Sequence, residues 1–229
     1  MNNYENAMSY IESQEATEIS YVEVGDNNKK LIVSFGSNAH TGFDRKTSLM
    51  ELKYQRNDFD VLYLRNQYKW YLGGLSGIGK NITHTTAFLK KKFSKYDKVL
   101  CTGFSAGGYA GLLFGSILNV NKVNVIDAQT DLQYCTTNLS DTDQGKQNLI
   151  KRSKQCPATW IKYSKIANVL NVNVSYDVFY RGDDNLKKGI RDVFLHGNYH
   201  YDLIKEFPTV NKRCHTKSVI TLINQFLEE

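Results

Sequence analysis

A serine between two glycines is the residue of this sequence best suited to covalent chemistry. Residues 103–107 read Gly-Phe-Ser-Ala-Gly, after an apolar run at 98–102 and at the start of a longer one at 106–118. Gly-x-Ser-x-Gly between a strand and a helix is typical of a sharp turn that lifts the serine hydroxyl above a sheet. We therefore expect Ser105 at the N-terminal end of a helix, where free N–H groups and the helix dipole stabilise negative charge.

A serine hydroxyl is too weakly acidic to attack a carbonyl alone, so it needs a base and a carboxylate that orients the base. In folds with this turn, the carboxylate follows the serine along the chain and the histidine comes last. Asp183 and Asp184 follow a late apolar run, and His215 directly precedes the last amphipathic stretch. We predict His215 as the base and Asp184, in preference to Asp183, as the acid. His200 is the alternative base, and Asp127, one strand earlier, is the alternative acid.

Attack by the serine would create a negatively charged oxygen, which two backbone N–H groups must hold. The first predicted donor is Ala106, directly after the serine. The second is expected in the loop after the early strand at 30–35, which reads Gly36-Ser37-Asn38. Gly36 leaves room for the backbone to approach a substrate, so the N–H of Ser37 or Asn38 is the candidate.

The elements that must position these residues alternate between short β-branched runs and longer amphipathic stretches. Several strand candidates are continuously apolar, which is typical of strands buried on both faces of a parallel sheet. The pattern predicts one α/β domain over residues 1–229, a three-layer α/β/α sandwich with a mainly parallel sheet and no large cap domain. The predicted strands are 18–24, 30–35, 60–64, 98–102, 122–126, 174–180 and 209–213, and the predicted helices are 81–95, 106–118, 147–154, 201–207 and 216–227.

Over residues 18–228 the sequence resembles the α/β-hydrolase family, through the serine turn, the early strand ending in Phe35-Gly36, and the late aspartate and histidine. The stretches WYLGGLSGIG at 70–79 and GGYAGLLFG at 107–115 are similar to a compact bacterial branch associated with capsule and surface-polysaccharide loci, which includes capsule O-acetyltransferases. The resemblance implies acyl transfer through an acyl-serine, on a carbohydrate ester, with no metal or redox cofactor required. For an acetyltransferase it implies acetyl-CoA as the donor. Whether water or a sugar hydroxyl accepts the acyl group stays open.

Two other functions compete with this interpretation. Residues 74–81 read GLSGIGKN, which nearly matches the phosphate-binding pattern GxxxxGK[ST], and a predicted helix follows. Nucleotide binding through Gly74–Lys80 is nevertheless the weaker alternative, because Asn81 replaces the hydroxyl that would hold Mg²⁺. The other alternative is a non-catalytic member of the same fold that binds a glycan or a protein, since a fold does not guarantee chemistry.

Composition restricts the classes of partner and compartment. The net charge is +6 with a pI near 9.0, and the densest basic run, Lys90-Lys91-Lys92, predicts a solvated helix face and no nucleic-acid site. The charge also suits anionic substrates or peripheral contact with a membrane. Four cysteines without a CxxC pair predict reduced thiols in the cytoplasm, with neither disulfides nor a zinc site. The N-terminus does not resemble a secretory signal, and the longest apolar run, 109–120, is too short to span a bilayer.

Overall fold

Seven strands form one sheet at the centre of the computed structural model, which describes residues 4–37, 42–66, 70–139, 141–142, 144–180, 204, 206–214 and 219–229. The strand order is β1-β3-β2-β4-β5-β6-β7, with β1 antiparallel to β3 and every other pair parallel. This confirms the predicted mainly parallel sheet. The strands are β1 (Tyr21–Val24), β2 (Lys30–Phe35), β3 (Asp60–Leu64), β4 (Lys98–Phe104), β5 (Lys122–Ile126), β6 (Ser175–Tyr180) and β7 (Val210–Cys214).

Helices cover both faces of the sheet, which confirms the predicted three-layer sandwich. One apolar cluster packs α1, α2 and α8 against side chains such as Ile32 and Leu100, and another packs α3 to α7 against the opposite face, which includes Val33 and Cys101. The helices are α1 (Tyr4–Glu15), α2 (Lys46–Arg56), α3 (Ile82–Phe93), α4 (Ala106–Leu118), α5 (Leu132–Asn138), α6 (Gln144–Gln155), α7 (Pro157–Tyr163) and α8 (Val219–Glu228), with a 3₁₀ turn at Ile166–Asn168.

The sequence-based boundaries are accurate for the strands and less so for the helices. All seven strands lie where they were predicted, although β1 is shorter and β4 continues through Phe104. Helices α1, α2, α5 and α7 were missed. Two of them carry start signals that were available in the sequence, because Asp131 caps α5 and Pro157 opens α7. The predicted helix at 201–207 lies largely outside the described residues, and Glu206 and Phe207 form a turn and a bend.

The sheet topology decides where a site can form. Parallel strands bring their carboxyl ends to one edge, and ligands in open α/β sheets bind at that edge. The ends of β2, β4 and β5, at Phe35, Phe104 and Ile126, are therefore the part of the molecule that positions Ser105. Across the residues that the structure describes, we find no helix with the length and apolar character needed to cross a bilayer.

Candidate active site

Ser105 is the single residue between β4 and α4, and its backbone is strained. Its φ of 55° and ψ of −119° lie outside the regions that non-glycine residues favour, at a cost of about 1–3 kcal/mol. Hydrogen bonds hold it there, because its N–H donates to the carbonyl of Ile126 at 3.0 Å and its carbonyl accepts from the N–H of Tyr109 at 3.0 Å. The strain is thus fixed by the strand on one side and the helix on the other.

Two glycines make this turn sterically feasible. A Cβ atom on Gly103 would lie 2.2 Å from the carbonyl oxygen of Gly107, and one on Gly107 would lie 2.1 Å from the carbonyl oxygen of Phe35. Both separations are far below van der Waals contact, and both neighbours are backbone atoms that cannot rotate away. The start of α4 is therefore pressed against the ends of β4 and β2, as the Gly-x-Ser-x-Gly pattern predicted.

Helix α4 brings the N–H groups of its first turn to this point. Its residues from Ala106 to Ser116 are all buried, whereas Ser105 is half-buried. The first N–H groups of a helix have no acceptor within the helix. The N–H of Ala106 consequently lies next to the serine, where the predicted oxyanion donor is needed.

The amide of Gln129 donates a hydrogen bond from Nε2 to the Ser105 Oγ at 2.9 Å. Gln129 is completely buried and belongs to a run of buried residues, 127–131, that follows β5 and is polar at every position except Ala128. Sequence reasoning missed this residue. The available signal was a series of polar side chains directly after a buried strand, next to the strand that carries the serine.

The described part of the predicted second oxyanion donor loop has its N–H groups already paired. The N–H of Gly36 donates to the carbonyl oxygen of Leu64 at 2.7 Å, and the N–H of Ser37 donates to the carboxylate of Asp44 at 2.7 Å. Neither group is available to a substrate in this conformation, because each already has an acceptor. Asn38, the other candidate, lies outside the described residues.

The predicted acids and bases are only partly located. Asp127 is fully buried directly after β5, has a φ of 47°, and donates its N–H to the carbonyl of Phe179 at 2.7 Å. It adjoins Ile126, whose carbonyl accepts from Ser105, so the alternative acid lies beside the serine turn. The other four predicted residues lie outside the described residues: Asp183, Asp184, His200 and His215.

Two other reactive or charged side chains lie at β4, the Arg45 guanidinium and the Cys101 thiol, and burial shifts the pKa of each. Burial lowers the pKa of the Arg45 guanidinium, and the adjacent Asp44 carboxylate opposes that shift. Arginine still stays protonated, so its Nη1, 3.4 Å from the Thr102 Oγ1, brings a positive charge to the last part of β4. Burial also raises the pKa of the Cys101 thiol, which keeps it protonated and removes it as a rival nucleophile.

The glycine-rich segment before α3 lacks the geometry of a phosphate-binding loop. The N–H groups of Leu75 and Gly79 each donate to the other residue's carbonyl at 2.9 Å, and the N–H of Ile78 donates to Leu75 at 3.0 Å. The segment is a closed hairpin, whereas a phosphate needs N–H groups that point at the ligand. In the described part of the chain, no cluster of three histidine, cysteine or acidic side chains could hold a metal ion either.

The sheet order, the strained serine between strand and helix, and the helices on both faces together define an α/β-hydrolase fold, and solved structures agree. An alpha/beta hydrolase enzyme from the metagenome of lagoon sediments at Mar Chica, Morocco, superposes with a TM-score of 0.52 at 16% identity, over 93% of this chain and 94% of its own. Esterase B of Lactobacillus rhamnosis gives 0.57 at 12% identity, over 100% and 94%. The capsule O-acetyltransferase of Neisseria meningitidis serogroup A gives 0.56 at 13% identity, over 91% and 87%. Neither the family models nor the curated proteins gave a match.

Proposed function

We propose that the protein is an acyl-transfer enzyme, a serine esterase or O-acyltransferase, with Ser105 as its nucleophile. The observation that carries this proposal is the backbone of Ser105, with positive φ at the N-terminus of a buried helix. Strain of this kind persists where the surroundings enforce it, and it is concentrated at functional sites. A turn chosen for packing alone would place glycine here, because glycine adopts positive φ without that cost.

The proposed reaction has two half-steps. The Ser105 Oγ attacks the acyl carbonyl while its proton passes to His215, or to His200 as the alternative base. Asp184 or Asp183, with Asp127 as the alternative, orients the imidazole. The N–H of Ala106 holds the oxyanion, and the leaving group departs with the proton from the base, leaving an acyl-serine. Water or a sugar hydroxyl then releases the acyl group by the same steps in reverse order, and neither half-step requires a metal or redox cofactor.

The proposed substrate is a carbohydrate ester or carbohydrate hydroxyl of a capsule or surface polysaccharide. Support comes from the fold shared with a capsule O-acetyltransferase and with esterases. If the protein transfers acetyl groups, acetyl-CoA is the proposed donor. The cytoplasm, where acetyl-CoA would be supplied, is the proposed location.

A fluorophosphonate probe tests the nucleophile, because it reacts only with an activated serine. We expect the wild-type chain to be labelled, with the adduct located on Ser105 by peptide mass spectrometry, and Ser105→Ala to remain unlabelled. Ser164→Ala is the matched control, since its hydroxyl also accepts a 2.9 Å hydrogen bond from a glutamine amide, that of Gln133, but lies outside the turn. An unlabelled wild-type chain would contradict the proposal and favour a non-catalytic binding module.

Mass spectrometry after exposure to acetyl-CoA tests donor and acceptor together. We expect an acetyl adduct on Ser105 that disappears when a capsular saccharide is added, with the acetyl group recovered on the sugar. Loss of the adduct at the same rate without saccharide would instead assign an esterase. Labelling by fluorophosphonate without any acetyl adduct would exclude acetyl-CoA as the donor while leaving the serine nucleophile in place.

A further inference from the structure

Gln129 is a buried polar side chain, and the one side-chain hydrogen bond that it makes to another described residue goes to the proposed nucleophile, Ser105. Its Nε2 donates to the Ser105 Oγ at 2.9 Å, and its Oε1 has no hydrogen-bond partner in the described part of the chain. No part of the residue is exposed. A buried amide oxygen without a partner destabilises a fold, and an apolar side chain of similar length would fill the space without that penalty. Packing therefore does not account for a glutamine at this position.

The direction of the hydrogen bond matters for the chemistry. An amide N–H donated to Oγ occupies a lone pair of the hydroxyl and leaves its proton free for a base. The same N–H interacts more strongly with an oxygen that gains negative charge than with a neutral hydroxyl. It would therefore stabilise the oxygen as its proton leaves, and again when the serine is expelled from the acyl-enzyme.

We propose that Gln129 is a positioning residue of the reaction, which fixes the Ser105 hydroxyl with its proton toward the base and lowers the free energy needed to deprotonate it. The inference rests on the proposed function, because it assigns a role within the same site. Gln129 acts through Ser105 and does not touch the substrate, since it is fully buried.

Three variants test the role by the rate of fluorophosphonate labelling, measured from pH 6 to pH 9 on folded protein. Gln129→Met keeps the length and removes the donor, so we expect labelling to slow about 10- to 100-fold. Gln129→Glu should retain a donor when its carboxyl group is protonated and should repel the developing charge on Oγ when it is ionised. Its rate relative to wild type should therefore rise as the pH falls, which a purely structural role would not produce.

Gln133→Met is the matched control. The Gln133 Nε2 donates to the Ser164 Oγ at the same distance of 2.9 Å, four residues further along the chain. We expect this variant to be labelled at the wild-type rate throughout the pH range. Equal slowing by Gln133→Met would overturn the inference, because the loss would then reflect the packing of this region.

The outcomes separate the inference from the function on which it rests. If wild-type Ser105 is labelled and both Gln129 variants react at the wild-type rate, the role of Gln129 is overturned and the nucleophile stands. If wild-type Ser105 is never labelled, the function and the inference fall together. Thermal melting identifies a variant that does not fold. If Gln129→Met does not fold, the test is the labelling rate of Gln129→Glu divided by that of wild type, measured across the pH range. A ratio that does not change with pH would overturn the inference.

Discussion

Two glycine-rich turns each lead into a helix, and they prepare the helix N-terminus in opposite ways. Ser105 and Asn81 are the N-cap residues of α4 and α3. Asn81 has extended backbone angles, and its side chain accepts the N–H of His84 at 3.0 Å, so it caps its own helix. Ser105 has positive φ and makes no capping hydrogen bond with its side chain, and its hydroxyl accepts from Gln129 instead. Asn81 therefore accepts an N–H of its own helix, whereas the Ser105 hydroxyl accepts none from α4.

The difference shows that glycine content followed by a helix does not by itself define a ligand site. What differs is the segment before each turn. Strand β4 enters the Ser105 turn from the centre of the sheet, whereas the hairpin at 75–79 follows a run of turns at 70–73. A central strand fixes the serine at the carboxyl edge, where substrates bind in open α/β sheets. The hairpin bonds to itself, so the N–H groups of Leu75, Ile78 and Gly79 are already paired.

The largest expected effect comes from removing the hydroxyl at the first turn. Ser105→Ala should lower the turnover of p-nitrophenyl acetate by about 10⁴-fold or more, because loss of a nucleophile removes the covalent route. Initial rates at saturating substrate measure the change, and far-ultraviolet circular dichroism shows whether the fold is kept. Activity close to that of the wild type would show that the turn around Ser105 is not the active site.

The next largest effect is a loss of stability when a glycine of either turn is replaced by alanine. The loss should be larger at the Ser105 turn, where the backbone is packed more closely. Gly107→Ala should lower the free energy of unfolding by about 3 kcal/mol, because its Cβ would lie 2.1 Å from the backbone oxygen of Phe35. Gly77→Ala should cost only about 1 kcal/mol, since the cost comes from the positive φ of Gly77 alone and its Cβ would meet nothing closer than 3.9 Å. Urea denaturation measures both, and equal losses would contradict the close approach at Gly107.

A smaller effect is expected at the second cap. Asn81→Ala removes the side-chain acceptor of the His84 N–H and should lower the free energy of unfolding by about 1 kcal/mol. The rate of Ser105 labelling should not change, because the described residues of α3 make no hydrogen bond to the turn at 103–107. Urea denaturation and fluorophosphonate labelling are measured on the same preparation, and a reduced labelling rate would show that the two turns are coupled.

The smallest effect is expected at the lysine of the second turn. Lys80→Met should leave both esterase activity and stability unchanged, and Mg-ATP should not protect Lys80 from chemical modification in the wild-type chain. The reason is that the hairpin N–H groups at Leu75, Ile78 and Gly79 are already paired. Protection by Mg-ATP would instead revive nucleotide binding at this segment.

Much of the fold was predictable because strands and the serine turn are local patterns. Short β-branched runs, several of them continuously apolar, located all seven strands, and the spacing of Gly103 and Gly107 located the strained turn. Hydrogen-bond partners were less accessible, since they depend on residues far apart in the chain. The hydrogen bond from Gln129 to Ser105, 24 positions apart, arises only after β4 and β5 have assembled side by side.

The missed helices have a related cause. The short helix α7 buries few side chains and shows a weak apolar face, so its periodicity is faint, although Trp160 packs into the core. Helix α1 buries only Ala7 and Ile11. Tertiary contacts supply most of the stability of such segments. The resemblance of Gly74–Lys80 to a phosphate-binding loop was misleading for a related reason. Its sequence does not show that the N–H groups of Leu75, Ile78 and Gly79 are paired, which only the folded hairpin shows.

At Ser105 the stability of the fold and the reactivity of the site make opposite demands on one residue, because its φ is positive. Glycine at this position would remove the backbone strain and give a more stable protein, but one without the hydroxyl group. Selection for thermal resistance alone should therefore favour replacement of Ser105 by glycine and so an inactive protein. A screen for more stable variants would have to measure activity at every round.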